Sequence, residues 1–300
     1  MVASNAASRL RQSLADEVNI AVCPGVYDGL TARIALSFGF DALYMTGAGT
    51  TASRLGQPDL GVITLTEMRE TAQMIASLDH SIPLTADADT GFGGSLMVHR
   101  TVTEYIRSGV AALHLEDQPT SKRCGHLLHK QLVSVDEFLS RIKAAVNARQ
   151  SSGNDIVLIA RTDALATLGY DQAISRLKSA VALGADVAFL EGITSKEQAK
   201  QACEDLSPTP VLFNAVTGGV SPDLSVEEAR DLGFRMIIFP GFAIGPVYSG
   251  LNEAAKNLKE GGRLITSGIG GPKDFFNIVG LKAAMAIDAA SRENLFQDGV

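Results

Sequence analysis

The stretch Leu84-Thr85-Ala86-Asp87-Ala88-Asp89-Thr90-Gly91-Phe92-Gly93-Gly94 sets two carboxylates two residues apart, between an apolar run and a glycine-rich turn. In a strand, residues i and i+2 face the same way, so Asp87 and Asp89 can aim at one point. Carboxylates that close repel unless a cation lies between them, and a hard dication such as Mg²⁺ takes oxygen ligands of this kind. Asp-x-Asp before glycine is also ordinary turn chemistry, with both side chains in water. A second reactive stretch is Lys122-Arg123-Cys124-Gly125-His126. Two cations and an imidazole beside a thiol favour the thiolate and suit proton transfer. The alternative is a basic surface loop whose cysteine is incidental. The third stretch, Gly47-Ala48-Gly49-Thr50-Thr51-Ala52, fits the G-x-G-x-x-A dinucleotide fingerprint after a strand. Beyond it, Arg54-Leu55-Gly56-Gln57-Pro58-Asp59 does not continue as a helix, so the pattern offers a pyrophosphate no helix N-terminus. Backbone N–H groups of that turn suit a carboxylate instead.

The elements that position these residues can be read from apolar rhythm. Strands are expected at Ile20–Gly25, Asp41–Thr46, the stretch opening at Leu84, Ala111–Asp117, Ile156–Ala160, Val187–Glu191, Val211–Asn214 and Met236–Pro240. Helices are expected at 28–38, 66–77 with Thr66 as N-cap, 98–108, 135–149, 170–183, 196–206 and 225–232. Eight strands alternating with helices imply parallel pairing and a (β/α)₈ barrel, with a doubly wound open sheet as the competing arrangement. The polar residues decide between them. Thr46, Asp87, Asp89, Glu116, Arg161, Asp163, Glu191 and Asn214 all fall at the C-terminal ends of expected strands, which a barrel gathers at one mouth.

The chain of 300 residues, 46% hydrophobic and 20% charged, supports one large core, and the barrel reading makes it a single domain. Within it, 1–18 forms an N-terminal helix, 19–259 the barrel and 260–300 a helical extension. A net charge of -7 and no long basic run argue against a nucleic-acid partner. Cys23, Cys124 and Cys203 are odd in number and scattered, which fits a reducing compartment and no disulfide framework. No apolar run nears the ~18 residues of a membrane span. The first fifteen residues carry Arg9, Arg11 and no acid, as an amphipathic helix or a transit segment would. A cytoplasmic location is expected, with a mitochondrial one as the alternative.

Thr85-Ala86-Asp87-Ala88-Asp89-Thr90-Gly91, His114-Leu115-Glu116-Asp117-Gln118, Lys122-Arg123-Cys124-Gly125-His126 and Ala160-Arg161-Thr162-Asp163 together resemble the isocitrate lyase/phosphoenolpyruvate mutase superfamily. The match runs in order from about Gly25 to Pro240. The Lys-Arg-Cys-Gly-His loop resembles the lyase branch, and within it the group of 2,3-dimethylmalate lyase, oxaloacetate hydrolase and the petal-death protein, with methylisocitrate lyase further off. The resemblance implies that Asp87 binds Mg²⁺ directly, Mn²⁺ being able to substitute, with Asp59, Asp89 and Glu116 holding its waters. It implies that Thr46, Gly47 and Ala48 grip the carboxylate of a 2-oxo acid, with Arg161 at the same end. Tyr44, His114, Lys122, Gly125, His126, Glu191 and Asn214 also fall at family active-site positions.

The implied reaction is cleavage of a 2-hydroxy dicarboxylate at C2–C3, giving pyruvate and a short acid such as propionate. Tyr44 is the expected base and Cys124 the acid that protonates the departing carbanion. Oxaloacetate hydrolysis to oxalate and acetate would use the same residues. Where isocitrate and methylisocitrate lyases carry Asn-x-Thr-Glu, this chain reads Asn214-Ala215-Val216-Thr217. The missing acid speaks against a tricarboxylic substrate, and Val216, Phe239, Phe242 and Pro246 are expected to form an apolar pocket wall. Beyond the last strand, helices at 248–259 and 273–291 carry apolar residues in excess of what a barrel needs. In the family such tails pack on a neighbouring subunit, so the expected assembly is a homotetramer, a dimer of dimers with swapped C-terminal helices.

Overall fold

Short apolar runs bounded by turns become eight strands: β1 (Ala21–Val26), β2 (Leu43–Met45), β3 (Leu84–Asp87), β4 (Ala112–Glu116), β5 (Val157–Thr162), β6 (Val187–Leu190), β7 (Val211–Asn214) and β8 (Met236–Phe239). The computed structural model describes residues 5–125, 129–265, 270–291 and 295. All strands pair in parallel and in chain order, and β8 returns to β1, so the sheet closes as a barrel. The register sets Asp87 beside His114 and Glu116 beside Arg161. Around the sheet run α1 (Ala6–Ala15), α2 (Gly29–Ser37), α3 (Gly47–Leu55), α4 (Leu65–Leu78), α5 (Ser95–Arg107), α6 (Val135–Ser152) and α7 (Leu165–Leu168). They are followed by α8 (Tyr170–Ala182), α9 (Lys196–Leu206), α10 (Val226–Asp231), α11 (Ile244–Gly261), α12 (Pro272–Ile278) and α13 (Leu281–Ala290).

Several expected boundaries move for identifiable reasons. The glycine-rich segment after β2 is helical after all: Thr46 caps α3, and Gly56, left-handed at φ 61, ends it. Its N-terminus therefore does face the mouth. Helix α4 starts before Thr66, because the Glu67 carboxylate accepts the Thr64 N–H at 2.8 Å and fixes Thr64 as the cap. Strand β5 runs on to Thr162, which puts Arg161 inside the sheet. Helix α11 begins at Ile244, and the expected long terminal helix breaks at Gly280, φ 100, into α12 and α13.

Two apolar layers result. One lies between sheet and helices, with Met68, Tyr105, Phe138 and Phe213 fully or almost fully buried. The other fills the barrel, where Tyr44, Ile159, Phe189, Leu212 and Ile238 meet. Helix α1 closes the end of the barrel opposite the mouth, with Leu10 and Leu14 in that inner layer. Arg11, on the other face of α1, forks onto Asp155 (2.7 and 2.9 Å) and reaches Asp186 at 2.9 Å. Its hydrogen bonds hold the Asp155 carboxyl below its ordinary pKa of 3.8. Stabilisation of this sign is complete above 3.8 and is lost as the pH falls through the lowered value. Arg11→Ala is therefore expected to cost about 1 kcal/mol at pH 7, a value discounted for the pair's exposure. In urea titrations from pH 7 to pH 3, the two proteins should converge in acid; an undiminished gap at pH 3 would refute the assignment.

Candidate active site

The mouth is built from α3 outward. Thr46 Oγ1 accepts the Gly49 N–H at 3.2 Å, leaving the N–H groups of Gly47 and Ala48 at the positive end of the helix. A Cβ on Gly47 would stand 2.3 Å from Asp87 Oδ2, so only glycine lets the helix end approach that carboxylate. Asp87 closes β3, with its carbonyl tied to the Tyr105 hydroxyl at 2.8 Å. Asp89 does not share a strand face with it. β3 has ended, Asp89 is left-handed (φ 47), and its N–H donates to Asp87 Oδ1 at 2.8 Å. The two carboxylates are brought together by this turn rather than by strand alternation.

The Lys122 ammonium lies 2.6 Å from Asp59 and 2.5 Å from Asp89, with all three side chains almost wholly enclosed. Burial works against the Lys122 charge, but Asp89, Glu116, Asp87 and Asp59 together carry its pKa well above the ordinary value. Burial raises the Asp87 pKa, and pushes Asp89 up to about 6 and Glu116 well above the carboxylate range, only partly opposed by Lys122 and Arg161. Arg161 is held by three acids: Glu116 at 3.2 Å, Asp163 at 3.0 Å and Glu191 at 3.5 Å. Its guanidinium carbon stands 5.2 Å from the centre of the Phe189 ring. Glu191 also accepts from Asn214 Nδ2 at 2.9 Å, while Asn214 Oδ1 is buried without a donor among the described residues.

Tyr44 and His114 form a buried pair, with the phenol oxygen 3.0 Å from Nε2. Burial first, and the Arg161 charge after it, lower the His114 pKa to about 3, so the ring is neutral. Asp87 Oδ1 lies 3.6 Å from the same nitrogen and, among the described residues, Nδ1 has no hydrogen-bond partner, which assigns the proton to Nε2. Tyr44 then accepts from His114 and keeps its own proton to donate. Burial and the Asp87 charge raise the phenol pKa well above 10, which favours the protonated phenol and weighs against Tyr44 as the base. Phe239 and Phe242 are a second correction. Both pack into the layer between sheet and helices, Phe242 edge-on to Phe40, so neither walls the barrel interior.

The thiol loop lies over this site. The Cys124 N–H donates to Asp59 O at 3.2 Å, and Gln118 clamps Arg123 through its N–H (3.1 Å) and carbonyl (2.8 Å). A Cβ on Gly125 would meet Arg161 at 2.5 Å and Glu191 at 3.0 Å. His126 lies outside the described residues. Two cations that brace the site, Lys130 and Arg176, carried no signal in the spacing. Lys130 reaches Asp163, and Asp117 takes Thr162 Oγ1 (2.6 Å), the Asp163 N–H (2.9 Å) and Arg176 (3.0 Å). Asp117 and Gln118 directly follow Glu116 in the chain, and that adjacency was the available clue.

Among the described residues no three His, Cys, Asp or Glu side chains form a ready metal cage. The donor chemistry nevertheless suits a hard dication. Asp59, Asp87, Asp89, Glu116, Asp163 and Glu191 outnumber Lys122, Lys130 and Arg161, and an Mg²⁺ site needs only one or two carboxylates, with water completing the shell.

A closed (β/α)₈ barrel with carboxylates, a thiol loop and a helix N-terminus at its mouth defines a barrel enzyme. Residues 10–259 match the family described as phosphoenolpyruvate phosphomutase, and the chain belongs to the phosphoenolpyruvate mutase/isocitrate lyase superfamily. It is 42% identical over 240 residues to 2,3-dimethylmalate lyase of Eubacterium barkeri, covering 80% of this chain and 81% of that one. It is 40% identical to 2-methylisocitrate lyase of Aeropyrum pernix, covering 76% and 72%. A crystal structure of 2,3-dimethylmalate lyase superposes with TM-score 0.96 at 52% identity, covering 100% of this chain and 99% of the other. Oxaloacetate acetylhydrolase bound to the inhibitor 3,3-difluorooxalacetate superposes with TM-score 0.93 at 52% identity, covering 95% and 97%.

Gly47→Ala is expected to cut kcat/KM by about 10²-fold or more, because its methyl group must displace the Asp87 carboxylate. Steady-state kinetics on the folded variant check this, and activity within threefold of wild type would contradict the close approach.

Proposed function

We propose that this enzyme cleaves the C2–C3 bond of a small 2-hydroxy dicarboxylate, with 2,3-dimethylmalate as the type, to pyruvate and a short carboxylate. The observation that carries the reading is the pairing at one mouth of excess buried carboxylate with a docked thiol loop. Asp87 would hold Mg²⁺ or Mn²⁺ directly, with Asp59, Asp89 and Glu116 acting through water. When bound, the ion offsets the negative charge that develops on the substrate's 2-oxygen. The N–H groups of Gly47 and Ala48 take the C1 carboxylate at the helix terminus. The Tyr44 hydroxyl, held from behind by His114, donates to the same end. Arg161, held by its three acids, contacts that same end of the substrate. An ionised carboxylate of the mouth takes the proton of the 2-hydroxyl group as the C2–C3 bond breaks, and Cys124 protonates the carbanion of the departing fragment.

A second reading, oxaloacetate hydrolysis, is supported by an equal identity of 52% to oxaloacetate acetylhydrolase. Methylisocitrate stands lower, because Thr217 occupies the place of the acid that would meet a third carboxylate. Dimethylmalate, oxaloacetate, methylisocitrate and isocitrate, assayed with Mg²⁺ for pyruvate, oxalate and glyoxylate, separate these readings. Dimethylmalate should give the highest kcat/KM; oxaloacetate in its place would select the hydrolase. Cys124→Ser should lower kcat about 10²–10⁴-fold with little change in KM. Retention of more than about a third of kcat would remove the thiol from the mechanism.

The reading includes a homotetramer with exchanged C-terminal helices. Helices α11, α12 and α13 bury no residue and expose Tyr248, Leu251, Phe276 and Ile287. Light scattering at micromolar concentration should give a tetramer; a fully active monomer would overturn this.

A further inference from the structure

We propose that Lys130 is a positioning residue that ties the thiol loop to the arginine of the substrate site through one shared carboxylate. Lys130 Nζ donates to the Gly125 carbonyl at 2.7 Å and to Asp163 Oδ1 at 2.7 Å. Asp163 is fully buried and uses the same carboxylate to hold Arg161, through Nε at 3.0 Å and a terminal nitrogen at 3.2 Å. Its N–H is fixed by Asp117, which Arg176 holds in turn, so Asp163 cannot shift alone. Gly125 is the residue next to Cys124 and already lies against Arg161 and Glu191. A single ammonium thus fixes the backbone beside the thiol and the acid behind Arg161 in one rigid unit. Lys122 anchors the other flank of the loop on Asp59 and Asp89. Cys124 is therefore held from both sides, and the Lys130 side is the one linked to Arg161.

Two charge-assisted hydrogen bonds are lost when Lys130 becomes methionine, a side chain of similar length that keeps the packing. The docked loop should then open more often, and the thiol should lose its alignment rather than its chemistry. Lys130→Met is expected to lower kcat about 10–10²-fold, the range a misplacement of about 1 Å produces, while KM changes less than about threefold. Lys130→Arg keeps charge and donors and should recover most of that loss. Alkylation of Cys124 by iodoacetamide, followed by peptide mass, supplies a readout independent of turnover. Cys23 and Cys203 are buried and report unfolding. The Cys124 rate should rise about threefold or more in Lys130→Met, with the buried thiols still protected. This inference rests on the thiol role above for its kinetic arm only. If no substrate of the panel turned over, the function reading would fail while the alkylation rates still tested the tether. Wild-type alkylation and wild-type kcat in Lys130→Met would overturn the proposal. Equal losses in Lys130→Met and Lys130→Arg, with Cys23 and Cys203 exposed, would assign Lys130 to the fold alone and overturn it as well.

Discussion

The ion pairing of Lys122 with Asp59 and Asp89 is the interaction on which the mouth of this barrel depends. An ammonium withdrawn from water is costly unless carboxylates surround it, and removing one partner of such a group costs several kcal/mol. Lys122 reaches those carboxylates only if the segment after β4 folds back across the mouth. That same fold carries Cys124, two residues on, over the site and sets its N–H on Asp59 O. The acids that suit a dication and the thiol that suits proton transfer are thus positioned by one buried cation. Asp59 takes part in both contacts, so its own loop is fixed along with the thiol loop.

The rest of the mouth follows from the same imbalance of charge. Arg161 and Lys130 neutralise part of the acid cluster, yet burial still raises Asp87, Asp89 and Glu116 towards their protonated forms. Asp163 goes the other way: burial would raise it, but Arg161 and Lys130 outweigh burial and keep it ionised. Compensation of the acids near the α3 terminus is therefore incomplete, while that of the acid behind Arg161 outweighs its burial. The barrel supplies this contrast cheaply, since Asp87 faces His114 and Glu116 faces Arg161 by strand register alone.

How much of this was readable from the sequence depended on whether a feature is local. Strand ends were readable, because apolar runs stop where Asp87, Glu116, Glu191 and Asn214 begin, and barrel closure then gathers them. The phase of the last strand was not. Met236-Ile237-Ile238-Phe239 is apolar throughout, as strands buried on both faces are, so nothing marks Phe239 as pointing outward. Helix α3 was hidden because Gly47-Ala48-Gly49-Thr50-Thr51 has poor helix formers and no apolar period; only the cap at Thr46 betrays it. The turn that joins Asp87 to Asp89 requires a left-handed aspartate, which a strand reading does not contain. Lys130 meets Asp163 across 33 residues and Arg176 meets Asp117 across 59, contacts that exist only once the barrel has closed.

We propose that the carboxylates at the mouth form a divalent-cation site through Asp87. Equilibrium dialysis of Mg²⁺ against the wild type and Asp87→Ala, paired with turnover in EDTA, tests it most directly. The wild type should take up one ion per chain and Asp87→Ala none, and turnover should cease in EDTA until Mg²⁺ is restored. Equal Mg²⁺ uptake by the two proteins, or full wild-type turnover in EDTA, would contradict it.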